Sequence, residues 1–554
     1  MKTDLVAPIH SISHRMSFSW LVPVCYLLVS LGVFFRRQLS TGRVFGDRTD
    51  GLIEVTHLEH WNNVVSGWSW WNRTFYFYPS YDTIGYNDSY LAFGLIHAVF
   101  RQLGIGPFLA SDLTDVLTKS LGFLFFYAAG KIVFQTGTNV TSACAAIFTL
   151  WSTSYANAYH QQLFSVSYEP IVFLAVFLFV RAAGAPGWRP YGCGAVLALL
   201  IGVWAMTAFY TLWFSAYFSF FLMLTSLVIY GRQSLVSVAG FIRVGWRHLM
   251  FYIGAQAVCL LPFWRVYHYT SQQTGGHSFD EVRTFLPSFL GILDTGAGSP
   301  TYLLTLGRLA HRWPQLLPNG EQVMGVCILT FCAFVALSIR SSTRHGCKNS
   351  VCLVATAVLV SWLCTIQIDG HTVWGLFYDW FPAAKAVRVI SRYELFLSFP
   401  ITLVIMLCVT ELLRKTPSAK MRLSCVALLS VLVAEQYNTS YPVGLSVSGQ
   451  DKWLAGIPAP PSECQSFYAV GSRKNEVLVS PGVDRSYGNN VDAMFLAEMI
   501  HLPTLNGMDS FTPRGWNLVG YRDADYTQRV LAFIRENRLS HVCALNLANN
   551  RWAQ

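Results

Sequence analysis

Eleven mainly apolar runs, most of them close to the roughly 18 residues that carry a helix across a bilayer core, limit what this chain can fold into. They are Phe18–Phe35, Val116–Phe134, Thr138–Tyr155, Ile171–Arg181 with its flanks, Gly192–Phe209, Leu212–Tyr230, Met250–Val266, Val323–Ile339, Val351–Ile368, Leu395–Leu413 and Leu423–Gln436. With 53% of its 554 residues hydrophobic and only 12% charged, the chain lacks the polar surface to coat a soluble globule of its size, and its mean hydropathy of +0.40 agrees. The expectation is an all-α polytopic membrane protein with about 11 transmembrane helices. No small-residue cleavage site follows the first run before Arg36 and Arg37, so it reads as a retained span rather than a signal peptide.

Basic residues orient the bundle. With a cytoplasmic N-terminus, the inner loops carry Arg181 and Arg189, then Arg232, Arg243 and Arg247, then Arg340, Arg344 and Lys348, then Arg414, Lys415, Lys420 and Arg422. The short outer connections near 156–167 and 209–211 carry none, as the positive-inside bias requires. Much of the net charge of +10 is therefore topological, and the pI of 9.0 calls for no nucleic acid. Three long polar stretches then fall outside: 36–115, 267–320 and everything beyond about 438. Of 13 cysteines, only Cys464 and Cys543 lie in the outer C-terminal region, an oxidising side, and they are expected to pair. The others read as small apolar packers. Neither CxxC nor HExxH occurs, so zinc is not indicated.

The first outer stretch opens with GDRTDGLIEVTHLEHW, residues 46–61, which gathers Asp47, Asp50, Glu54, His57 and Glu59. At about 100° per residue, a helix through it sets Asp47, Asp50, Glu54 and His57 in an arc roughly 80° wide. Carboxylates crowded this way repel one another, which suits a general base whose pKa its neighbours raise, or a site for a divalent cation. A solvated turn with capping acids fits the segment equally well. Next, WSWWNRTFYFYPSYDTIGYNDSY, residues 68–90, has the Trp and Tyr density of an interfacial belt or of a wall on which a sugar stacks. Asp88 or Ser89 then caps a helix running to Gly104. At about 22 Å it is too short for a bilayer core of about 30 Å and is expected to lie in the interface.

Lys119, inside the second run, calls for a partner, and Asp112 or Asp115 stands just before it. At the outer lip, YHQQLFSVSYEP brings His160, Gln161, Gln162, Tyr168 and Glu169, which form either a hydrated loop or hydrogen-bonding groups for a hydroxyl-rich substrate. The loop 267–320, with His268, His277, Asp280, Glu281 and Arg283, is long enough for a lid or a binding element. In DWFPAAKAVRVISRYELFLSFP, residues 379–400, Pro382 suits the first turn of a helix that continues into the tenth span. On it Lys385, Arg388 and Arg392 fall within about 60° of one face. This helix enters from the outer side, where topology does not favour positive charge. Snorkelling to headgroups is one reading, and forked donors to the phosphate of a lipid the preferred one. Beyond 438, EVLVS (476–480) and HVCALNL (541–547) read as buried strands, and VDAMFLAEMIH and YTQRVLAFIREN as amphipathic helices. A small C-terminal α/β extracytoplasmic domain is expected, which lacks a catalytic signature and binds or braces.

The outward acidic cluster after the first span, the interfacial helix, the span count, the basic helix entry and the C-terminal domain together resemble the GT-C superfamily. Its members are polytopic membrane glycosyltransferases that take a sugar from a polyprenyl-phosphate carrier. FYPSYDTIGYNDSYLAFGLIHAVFRQLG and NGMDSFTP are also similar to segments of bacterial multi-spanning members. The resemblance implies a GT-C-like module over 1–437 and a soluble domain over 438–554. It implies a general base at Asp47, with Asp50 as the second acid, and phosphate contacts from Arg388 and Arg392 with Lys385 nearby. Glu54, His57, Asp88, His160 and Glu169 join these as candidate substrate contacts. GDRTD is not the adjacent acidic pair of many members, so which acid is the base, and whether Mg or Mn is held by Asp47 and Asp50, stay open. The implied reaction is inverting transfer to a hydroxyl of a glycan, lipid or protein acceptor. Its implied place is a bacterial inner membrane, with the N-terminus cytoplasmic and the active site periplasmic. A transporter or flippase of a lipid-linked sugar is the alternative; it would more often carry inverted repeats, and the sequence shows no convincing internal repeat.

Overall fold

The computed structural model describes residues 20–312, 323–345, 350–440, 444–473 and 480–553. In chain order the main elements are α1 (Leu21–Phe34), β1 (Arg43–Phe45), α2 (Asp50–Val65), α3 (Leu91–Gln102), α4 (Pro107–Ile132), α5 (Thr138–Leu150) and α6 (Gln161–Ala182). Then come α7 (Arg189–Thr207), α8 (Phe209–Tyr230), α9 (Arg232–Cys259), α10 (Leu261–Thr274), α11 (Ile328–His345), α12 (Ser350–Leu363), α13 (Arg392–Lys415) and α14 (Ala419–Glu435). The chain closes with β2 (Gly444–Ser446), β3 (Ser466–Val470), α15 (Pro481–Ile500), α16 (Tyr526–Glu536), β4 (Val542–Asn546) and β5 (Arg551–Ala553).

Among the described residues, α6, α7, α8 and α13 are long and apolar enough to cross a membrane, and the bent pair α9–α10 makes a fifth if it is one span. The pair bends by 53°, inside the expected run Met250–Val266. Pro262, in the first turn of α10, cannot donate to the helix behind it and breaks the axis there. Leu21–Phe34, Ile328–Thr343 and Ser350–Leu363 are apolar but shorter. Aromatic and aliphatic side chains of α4, α5, α8, α12 and α13 form the main core, with Ile401, Val404, Ile405, Met406 and Val409 of α13 at its centre. Lys119 of α4 meets Ser154 Oγ at 2.6 Å and the faces of Phe34 and Phe164, rather than forming an ion pair with Asp112 or Asp115.

The stretch between α1 and α4 and the residues beyond 438 form one packed layer. Helix α2 is buried from Gly51 to Trp61, held between α3 and α15. Strand β1 pairs antiparallel with β2, Phe77 and Tyr78 donate their N–H groups to Asn506 and Thr504, and Arg48 meets Asp492 at 2.8 Å. Strands β3, β4 and β5 form a sheet in that order, parallel then antiparallel, and Cys464, two residues before β3, is bonded to Cys543 of the central strand β4. The expected strand 476–480 lies, up to residue 479, outside the described residues.

Two local expectations fail. Helix α3 starts at Leu91 with no side-chain cap, because Asp88 Oδ1 instead accepts the Phe209 N–H at the start of α8. The stretch 382–391 is not one helix: Ala384–Ala386 makes a single 3-10 turn and regular helix begins at Arg392. Val387, Val389 and Ile390 are fully buried there, and this tertiary burial overrides the helical spacing.

Candidate active site

Packing α2 and the C-terminal part against the entry of α13 encloses a polar cavity of about 140 Å³. Its walls include Asp50 and Glu54 from α2, Asn87, Asp88 and Tyr90 before α3, His160 and Gln162 at the start of α6, Tyr210 of α8, Arg388 and Arg392, and Tyr487, Asp509 and Ser510.

Asp50 is the first residue of α2, and a third of its side chain (33%) remains exposed. Tyr487 Oη donates to its Oδ1 at 3.2 Å, and His160 Nδ1 stands 3.8 Å from its Oδ2. Glu54, one turn on, is enclosed, and its Oε1 accepts from the Gln161 N–H at 2.6 Å and the Tyr90 hydroxyl at 3.3 Å. Burial first, and then the Asp50 and Asp115 charges, push the Glu54 carboxyl well above the carboxylate range. Burial also holds His160 well below the usual imidazole value, helped by the nearby charges of Arg392 and Arg388, so the ring stays neutral at pH 7. At Asp88, burial raises the pKa to about 6 against the opposing pull of the Phe209 N–H and the Arg392 charge.

The two guanidinium groups differ. Arg388 is about one third exposed, with its Nη1 3.7 Å from Glu281 Oε1. Arg392 is 7% exposed, its Nε is buried without a hydrogen-bond partner, and no carboxylate among the described residues forms an ion pair with it; it lies 5.5 Å over the Tyr210 ring. A buried cation without a hydrogen-bonded counter-ion is costly, so this end of the cavity is built to receive an anion. A second, mostly apolar groove of about 530 Å³ continues from it, sharing Asn87, Asp88, Tyr210 and Ser510. Phe263, Trp264 and Tyr267 of α10 and Phe381 line this groove, with Lys385 along it.

Of the residues singled out in the sequence, Asp50, Glu54, Asp88, His160, Arg388 and Arg392 therefore share one cavity, and four do not line it. Asp47 precedes α2, where its Oδ1 accepts from the N–H groups of Thr49 at 2.8 Å and Gly51 at 3.3 Å. His57 is buried behind the wall, stacked on Tyr90 with its Nε2 3.1 Å from Asp509 Oδ1. Glu169 is enclosed within α6, and Lys385 lines the groove. Among the described residues no group of three or more His, Cys, Asp or Glu side chains is spaced to hold a metal ion.

Neither a protein-family model nor a curated protein matches the sequence. Solved structures do match. The Archaeoglobus fulgidus oligosaccharyltransferase in its apo form aligns over 96% of this chain and 69% of its own, at 11% identity and a TM-score of 0.48. The arabinofuranosyltransferase AftD from Mycobacteria aligns over 98% of this chain and 36% of its own, at 14% identity and a TM-score of 0.51. The chain has the GT-C fold. It spans about a third of the length of AftD. Within this GT-C fold, Asn87, Tyr210, Tyr487 and Asp509 are cavity residues that sequence reasoning passed over. Asp509, in the segment NGMDSFTP, and Asn87, in FYPSYDTIGYNDSYLAFGLIHAVFRQLG, had a signal; Tyr210 and Tyr487 are polar residues that join the cavity through long-range packing.

Proposed function

We propose that this protein is an inverting membrane glycosyltransferase that moves a sugar from a polyprenyl-phosphate carrier to an acceptor hydroxyl at the outer face of the membrane. The observation that carries this reading is Arg392: a buried, unpaired guanidinium in the same cavity as the accessible carboxylate of Asp50. In the reaction, Asp50 takes the acceptor proton as the acceptor oxygen bonds to the anomeric carbon, and the bond from that carbon to the phosphate oxygen breaks. Arg388 and Arg392 receive the charge that grows on the departing phosphate. The apolar groove beside them suits the carrier's hydrocarbon. Displacement in one step inverts the anomeric centre.

The base is assigned to Asp50 rather than Asp47, since both N–H contacts of Asp47 serve the start of α2. Among the described residues, Asp50 is the one carboxylate through which a magnesium ion could be held here, and as the base it is not free for that role, so this reading routes no step through a cation. This reading adopts about eleven spans, a cytoplasmic N-terminus and a periplasmic site in a bacterial inner membrane, supported by the lengths of the apolar runs and the basic residues of the inner loops.

The full chain is incubated with a panel of radiolabelled polyprenyl-phosphate monosaccharides. A pentofuranose is included because AftD is an arabinofuranosyltransferase. Loss of label from the lipid with release of polyprenyl phosphate is expected; Asp50→Asn slows it about 100- to 10,000-fold, Arg392→Gln raises the donor KM, and Asp47→Asn keeps turnover. Movement of intact donor across a vesicle bilayer without bond cleavage would establish the transporter instead.

A further inference from the structure

A carboxylate that acts as a base must be aimed, and Asp50 stands on the first residue of a helix with a third of its side chain open. What grips it comes from the far end of the chain. The Tyr487 hydroxyl donates to Asp50 Oδ1 at 3.2 Å across 437 residues of sequence, and Tyr487 itself lines the cavity. Helix α15 is kinked one residue later, at Gly488, whose φ of −1° and ψ of −106° are not helical. A Cβ at that position would run into the Tyr521 ring, whose hydroxyl is anchored on Asp484 Oδ2 at 3.0 Å. The kink turns the segment bearing Tyr487 away from the axis of the rest of α15. Beyond it, Asp492 on the same helix holds Arg48, two residues before Asp50, at 2.8 Å. The loop bearing Asp50 and the helix bearing Tyr487 are thus tied together at two points.

We infer that Tyr487 is a positioning residue of the transfer reaction, so that the C-terminal part completes the active site instead of merely bracing it. This rests on the reading of Asp50 as the base. The Tyr487 hydroxyl keeps its own proton. Its hydrogen bond to Oδ1 fixes the plane of the carboxylate that takes the proton of the acceptor. A hydrogen bond to a charged group, when lost, costs enough to slow a step that depends on it by about 10- to 100-fold.

The test compares the full-length protein with Tyr487→Phe, Asp50→Asn and the double variant, using the polyprenyl-phosphate monosaccharide that the wild type turns over. In Tyr487→Phe the melting temperature and the donor KM are expected to hold within about 2 °C and twofold, while kcat falls about 10- to 100-fold. The double variant is expected to equal Asp50→Asn, because a residue that works through Asp50 has nothing left to position. Wild-type kcat in Tyr487→Phe, or a further loss of the same size on top of Asp50→Asn, overturns the role of Tyr487 while leaving the base in place. Full activity in Asp50→Asn is the separate result that removes the base assignment itself.

Discussion

Asp88 shows how one buried carboxylate makes stability depend on pH. Its folded pKa of about 6 lies above the ordinary 3.8, so the folded protein holds this proton more tightly than the unfolded chain does. The resulting stability is fully present below about pH 4, is lost as pH rises toward 6, and is gone above that, a difference of about 2–3 kcal/mol. Asp88→Asn keeps an oxygen for the Phe209 N–H at 2.7 Å and removes the titration. Its thermal melting is expected to be flatter than the wild type between pH 4 and 7, and an unchanged slope would show that another group is responsible. Asp88 was legible in the sequence as a candidate substrate contact and as the cap of the wrong helix. The helix it caps follows 121 residues later, a pairing that local spacing does not encode.

Helix α2 begins where it does because two glycines let the backbone cross itself. A Cβ on Gly51 would lie 2.7 Å from the Gly46 carbonyl carbon, and Gly46 holds a φ of +102°, which glycine adopts without strain. Gly51→Ala is therefore expected to push this crossing apart at about 1–3 kcal/mol, shift Asp50 and lower both melting temperature and transfer. Gly482→Ala, where an added Cβ meets nothing within 4 Å, is the control expected to change neither. A Gly51→Ala protein as stable and active as the control would mean that the crossing yields freely. The helix boundary at Arg392 makes a related point. Spacing placed Lys385, Arg388 and Arg392 on one helical face, but burial of Val387, Val389 and Ile390 draws that segment out of helix. Arg388 and Arg392 still reach the cavity, whereas Lys385 falls in the groove.

At the scale of the molecule, Asp492 joins the stretch between α1 and α4 to the C-terminal part. It is 1% exposed, accepts from Arg48 at 2.8 Å and forms an ion pair with Arg473 across 2.7 Å. Asp492→Ala takes the shared carboxylate away from both guanidinium groups, and removing one member of such a group costs about 3–5 kcal/mol. The expected result is a lower melting temperature and easier proteolysis between the two parts, with kcat lowered at least as far as in Tyr487→Phe because Tyr487 and Asp50 separate. An unaltered melt would show that packing of α15 on α2 holds the layer without this clamp.

Composition and run length by themselves determined the helical, apolar body, because burying that much hydrocarbon in a bilayer leaves few other solutions. The acids of the first loop, the two late arginines and the Cys464–Cys543 pair were also readable as residue types in meaningful places. Only the tertiary structure decided that Asp50 rather than Asp47 faces the cavity, that His57 and Glu169 stand behind its walls, and that Tyr487 and Asp509 belong to it. Chemistry-bearing residue types leave a local trace in a sequence. Which of them meet depends on packing between segments hundreds of residues apart, and that is settled by the shape and burial of the whole fold.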